Sequence, residues 1–139
     1  MSEDLVVKKT YTASAERVFD AFLDPAKAGK FLFWTPTGTM IKVEIDARVG
    51  GQYNITRRED KDYEHLGEYL IIERPRRLVF TLRVPQLGNV SKTVSIEILP
   101  FGSGCELTLT HSNVKPENHE GMRGGWSKIL DGLESAIAA

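Results

Sequence analysis

Residues 92–112 read KTVSIEILPFGSGCELTLTHS, two runs of alternating side chains separated by a turn. Val94, Ile96 and Ile98 share one face of the first run, and Leu107 and Leu109 share one face of the second. Their neighbours Thr93, Ser95, Glu97, Glu106, Thr108 and Thr110 are polar. A period of two with one apolar and one wet face marks antiparallel strands, because parallel strands are buried on both sides. Between the runs, Phe101-Gly102-Ser103-Gly104 supplies residues suited to a tight turn.

Toward the N-terminus the same alternation continues. Leu78, Phe80, Leu82 and Val84 share a face, and the pattern predicts strands over 40–48, 52–58, 67–73, 78–84, 92–99 and 105–112. Gly50-Gly51, Arg74-Pro75 and Gly88-Asn89 mark the breaks between them. Residues 5–12, rich in β-branched and long side chains, predict one more strand at the start. Ser14 then offers an N-cap to a short helix carrying Ala15, Val18, Phe19 and Phe22 on one face, and Asp24-Pro25 caps and starts a second. After Pro116 a helical period returns: Met122, Trp126, Ile129 or Leu130, Leu133 and Ile137 form one apolar stripe about four turns long.

The order is strand, two short helices, six strands and a long helix. A meander of that length has an apolar concave face that needs a cover, and the last helix has the stripe to cover it. The expected fold class is therefore α+β of the helix-grip type, a curved antiparallel sheet of about seven strands around a long C-terminal helix. With 139 residues, no linker and no repeat, one domain over 1–139 is expected, large enough to bury a core unaided.

A net charge of −1 gives no overall pull toward nucleic acid or an anionic membrane, and no apolar run approaches the length of a bilayer span. Cys105 is the one cysteine, and the polar start Met1-Ser2-Glu3-Asp4 is unlike a signal peptide. A cytoplasmic location is expected, as a monomer or homodimer. Three widely spaced histidines give no metal-ligand spacing, and nucleophile-elbow, phosphate-loop and Cys-x-x-Cys patterns are absent. No cofactor is expected.

The sequence resembles the START-related superfamily of birch-pollen-allergen-like and polyketide-cyclase-like proteins, in the branch similar to the activator of heat-shock-protein ATPase. The resemblance is carried in order by 13–22 (ASAERVFDAF), Phe33-Trp34 before Pro36, 46–53 (DARVGGQY), 67–75 (GEYLIIERP) with 77–81 (RLVFT), 104–111 (GCELTLTH), and Gly125-Trp126 with Leu130 and Leu133. Cys105 stands where the family usually has threonine, and Tyr53 where phenylalanine is commoner. The resemblance implies the fold already derived and a cavity for a lipid-, steroid- or polyketide-like molecule. It leaves two other functions open: a cyclase or dehydratase using His111, Tyr53 or Tyr69 to move protons, and a stress-related contact with a chaperone.

Candidate ligand-binding residues follow from strand parity and position. Tyr53, Ile55 and Arg57 share a face expected to line the concave side, as do Tyr69, Phe80 and Leu82. Arg57 facing inward needs a counter-charge, either a ligand carboxylate or an Asp or Glu of a neighbouring strand, unless a twist or bulge brings it to the rim. His111 continues the parity of Leu107 and Leu109, where it could contact a ligand oxygen; a histidine satisfied by backbone is the favoured alternative. Met122 and Trp126 approach from the helix, Trp126 also as core. Phe31, Phe33 and Trp34 either gate the pocket or plug its end. His65 and His119 are expected in solvent, and 59–62 (EDKD) as a solvated hairpin loop. Gly124-Gly125 implies close backbone approach, the end of a first short helix, or a hinge, the first two preferred, because glycine costs a helix interior roughly 1 kcal/mol against alanine.

Overall fold

The alternating runs pair into one seven-stranded antiparallel sheet in the computed structural model, which describes residues 3–88 and 90–138. The elements in chain order are β1 (Glu3–Tyr11), α1 (Ala15–Leu23), α2 (Pro25–Phe31), β2 (Thr39–Ile45), β3 (Gln52–Arg58), β4 (Asp62–Glu73), β5 (Arg77–Leu82), β6 (Lys92–Phe101), β7 (Gly104–Val114) and α3 (His119–Ala138). Across the sheet the order is β1-β7-β6-β5-β4-β3-β2, so the first strand closes on the last and β2 forms the far edge. Single 3₁₀ turns at Pro85–Leu87 and Pro116–Asn118 precede β6 and α3. Among the described residues no helix is long and apolar enough to cross a membrane.

The predicted apolar face is the core. Val94, Ile96, Ile98, Leu107, Leu109 and Ile55 are fully buried, and Leu130 and Leu133 of α3 lie against them in the same cluster. The two helix caps form as read: the Ser14 hydroxyl accepts from the Arg17 N–H at 3.3 Å, and the Asp24 carboxylate from the Ala26 N–H at 3.0 Å. Tyr11 ties β1 to α3 by donating to the Leu130 carbonyl at 2.8 Å, Lys9 meets Asp131 at 2.7 Å, and Arg17 of α1 donates to the Ile137 carbonyl.

Three expectations change. The strand expected to begin at Gly67 begins at Asp62, because the β3–β4 ladder continues out to the Arg58–Asp62 pair beside a tight hairpin and takes in residues 62–66. His65, expected in solvent, is therefore a mid-strand residue facing inward and only 7% exposed; His119 is half-buried, its Nε2 on the Val114 carbonyl at 2.9 Å. Lastly, α3 runs unbroken through Gly124-Gly125, and a Cβ at either position would meet nothing within 4 Å. Close helix approach occurs one stripe later, at Gly132, whose added Cβ would lie 3.2 Å from the Phe31 Cβ.

Candidate functional site

The site grows from a seven-residue loop after α2 and from the small residues of α3. Phe33 sits in the left-handed backbone region at φ 61°, a conformation that costs a bulky side chain energy and persists only where its surroundings impose it. Three contacts impose it. Arg57 Nη1 donates to the Phe33 carbonyl at 2.7 Å, the Phe33 ring stacks on His65 with centroids 4.2 Å apart, and its edge meets Trp126 at 5.8 Å.

Glu59 secures the rest of the loop. The Thr35 hydroxyl donates to its Oε1 at 3.1 Å, the Thr37 hydroxyl donates to the same oxygen, and Arg57 Nε reaches Oε2 at 3.1 Å. The Thr37 hydroxyl, with smaller help from Thr35 and Arg57, holds the Glu59 carboxyl below the usual carboxylate range. The counter-charge that Arg57 required thus comes from its own strand end. The hairpin loop is 59–61, one residue shorter than expected because Asp62 opens β4, and its first carboxylate folds inward to fasten a neighbouring loop.

Between this loop and α3 lies a cavity of about 890 Å³. Phe31, Phe33, Trp34 and Pro36 wall one side. From α3 come Gly125, Ile129, Gly132, Ser135 and Ala136, a face too short in side-chain volume to close the gap. Arg57 and His65 complete it from the sheet, and Lys30 and Lys128 stand at the rim. A neighbouring recess of about 210 Å³ shares Phe33, His65, Gly125 and Ile129 and adds Leu82, Val84, His111, Met122 and Trp126.

The two histidines have defined and opposite hydrogen-bonding faces. An indole N–H can only donate, so the 3.0 Å contact from Trp126 Nε1 makes His111 Nδ1 an acceptor and puts the ring proton on Nε2. A carbonyl can only accept, so the 3.0 Å contact to Ile55 puts the His65 proton on Nδ1 and leaves Nε2 a bare acceptor. Burial pushes the pKa of both rings down to about 4, helped at His111 by Lys92 and opposed at His65 by the Ile55 carbonyl. Both are neutral near pH 7. No wholly enclosed side-chain nitrogen or oxygen among the described residues lacks a partner. Both rings line the recess.

The structure divides the sequence-derived residues into two groups. Trp34 (47% exposed) and Arg57 line the main cavity, and Leu82, His111, Met122 and Trp126 line the recess. Tyr53, Tyr69 and Phe80 lie apart from both. Packed with Phe22, Leu32 and Leu78, they surround only about 10 Å³, room for a water at most, and Ile55 is fully buried in the core. The Tyr53 hydroxyl donates to the Thr81 carbonyl at 2.7 Å, and burial raises the pKa of both tyrosines well above the ordinary value. The partner of His111 is the Trp126 indole rather than backbone. Sequence reading missed His65, Glu59 and Ile129. For His65 a signal existed, since it is two steps of two from inward-facing Tyr69, through Gly67.

Among the described residues no group of three or more His, Cys, Asp or Glu side chains could hold a metal. No curated protein matches the chain. Solved structures do. Protein CV1439 from Chromobacterium violaceum shares 26% identity at a TM-score of 0.87, covering 99% of this chain and 98% of that one. SA2116 from Staphylococcus aureus, described as of unknown function, matches at 18% identity and a TM-score of 0.86, over 99% and 94%. The AHSA1-like protein from Aeromonas hydrophila matches at 16% identity and 0.80, over 97% and 92%. These last two are likenesses of fold. The sequence pattern of the Activator of Hsp90 ATPase homolog 1-like proteins matches residues 12–138, nearly the whole length, and the chain belongs to that family.

Proposed function

We propose that the protein binds a small, largely apolar molecule between the loop after α2 and the glycine-bearing face of α3, and holds it without chemical change. The observation that carries this reading is the cavity itself. At about 890 Å³ it falls in the size range of small-molecule sites, and it combines aromatic and aliphatic walls with few polar groups. The histidines argue for binding over turnover. A buried imidazole with a pKa of about 4 is a weak base at neutral pH, whereas a neutral donor beside a neutral acceptor suits a ligand hydroxyl or carbonyl.

Native mass spectrometry of gently purified protein, with denaturing extraction of whatever it carries, tests the proposal. The expected result is a retained species of defined mass that is absent from Gly125→Leu, whose new side chain occupies the cavity. Protein that retains nothing, and that gains no thermal stability over Gly125→Leu from any member of a lipid and polyketide panel, would overturn it.

A further inference from the structure

Every charged side chain lining the main cavity is a cation: Lys30 from α2, Arg57 from β3 and Lys128 from α3. Arg57 is neutralised by Glu59. Lys30 and Lys128 have no ion-pair partner among the described residues. The α3 carboxylates that follow Lys128, Asp131 and Glu134, are engaged by Lys9, at 2.7 and 3.6 Å. This positive rim is no by-product of a basic protein, since 19 acidic residues face 18 Lys and Arg in the chain. Two uncompensated cations on two helices flanking one apolar hole focus an anion onto its rim.

Resting on the binding reading above, we infer that the ligand is an amphiphilic anion. Its carboxylate-like head lies between Lys30 and Lys128, and its apolar body lies inward against Phe31, Phe33 and Ile129. Lysine suits this role because a flexible stem carries a point charge that can follow the head group of a ligand seated mainly by its body.

Two dyes that differ by one anionic group test the inference: 8-anilinonaphthalene-1-sulfonate and neutral N-phenyl-1-naphthylamine, each titrated by fluorescence into the full chain. An exposed ion pair contributes roughly two- to fivefold in affinity. The sulfonate should therefore bind roughly 4- to 25-fold more tightly, with the preference shrinking at high salt. In Lys30→Gln/Lys128→Gln the preference should vanish while the neutral dye binds as before. Lys8→Gln/Lys115→Gln, which removes the same charge from exposed positions outside the cavity lining, should keep it. Equal affinities in the wild type, or equal loss in the two double variants, would overturn the anion inference and leave the cavity reading standing. Dye binding that survives Gly125→Leu, or no binding by either dye, would overturn both.

Discussion

At the scale of single residues, the buried histidines set the acid response. Both have folded pKa values near 4, below the ordinary value of about 6.5 that each regains on unfolding. Between those limits the unfolded chain binds protons that the folded chain does not, so stability falls as pH drops from about 6.5 toward 4 and is unaffected by these groups above that window. The loss is of order 3 kcal/mol for each ring at the lower limit. Urea midpoints measured at several pH values should fall through that window. His111→Asn, which keeps an oxygen to accept from Trp126, should flatten the slope by about half. A second expectation concerns Glu59: Glu59→Ala frees the Thr35 and Thr37 hydroxyls and leaves Arg57 without its counter-ion. Stopped-flow fluorescence should then show faster dye entry and release than in wild type. Neither site was fully legible in the sequence. Parity marked His111 as inward, but His65 is hidden among Tyr63, Glu64 and Glu68, where local polarity outweighs the strand period. Glu59 reads as an exposed loop charge because the two threonines that donate to it lie over twenty residues away.

Elements tell the same story through glycine. The stripe of α3 and the order of strands were plain from periodicity, whereas the reasons for individual glycines depend on neighbours that periodicity does not record. Gly124 adjoins open space, so Gly124→Ala should stabilise the helix by about 1 kcal/mol, read as a raised melting temperature. Gly67 is the opposite case. A Cβ there would lie 1.9 Å from the Thr81 carbonyl oxygen, in backbone that cannot move without breaking the β4–β5 junction. Gly67→Ala should destabilise by about 1–3 kcal/mol or more, read as a lowered urea midpoint. The glycines at 125 and 132 divide similarly: one borders open cavity, and the other lets α2 and α3 touch.

Across the whole molecule, fold and cavity separate. The fold was legible because the alternating face, the two caps and the final stripe all require the same arrangement. The cavity's place was not, because it depends on volume rather than on facing. The inward tyrosines and Phe80 are large enough to fill the middle of the sheet, while the small residues of α3 fail to fill its end. Leu130 of α3 belongs to the core cluster and is fully buried. Leu130→Ala should cost about 2–5 kcal/mol in chemical denaturation.

The pairing of β1 with β7 also has a consequence in time. Tyr11 lies opposite Cys105, and Leu5 opposite His111, so β1 pairs with a strand synthesised well after it. Neighbouring hairpins can zip as they are made, but this strand must wait for a partner about a hundred residues behind it, a closure that slows folding. Until then Leu5, Val7 and Tyr11, which end up buried, have nothing to cover them. The newborn chain is thus most prone to stick to others just before its final strand arrives, and a protein that shields exposed apolar segments should help it most during that interval.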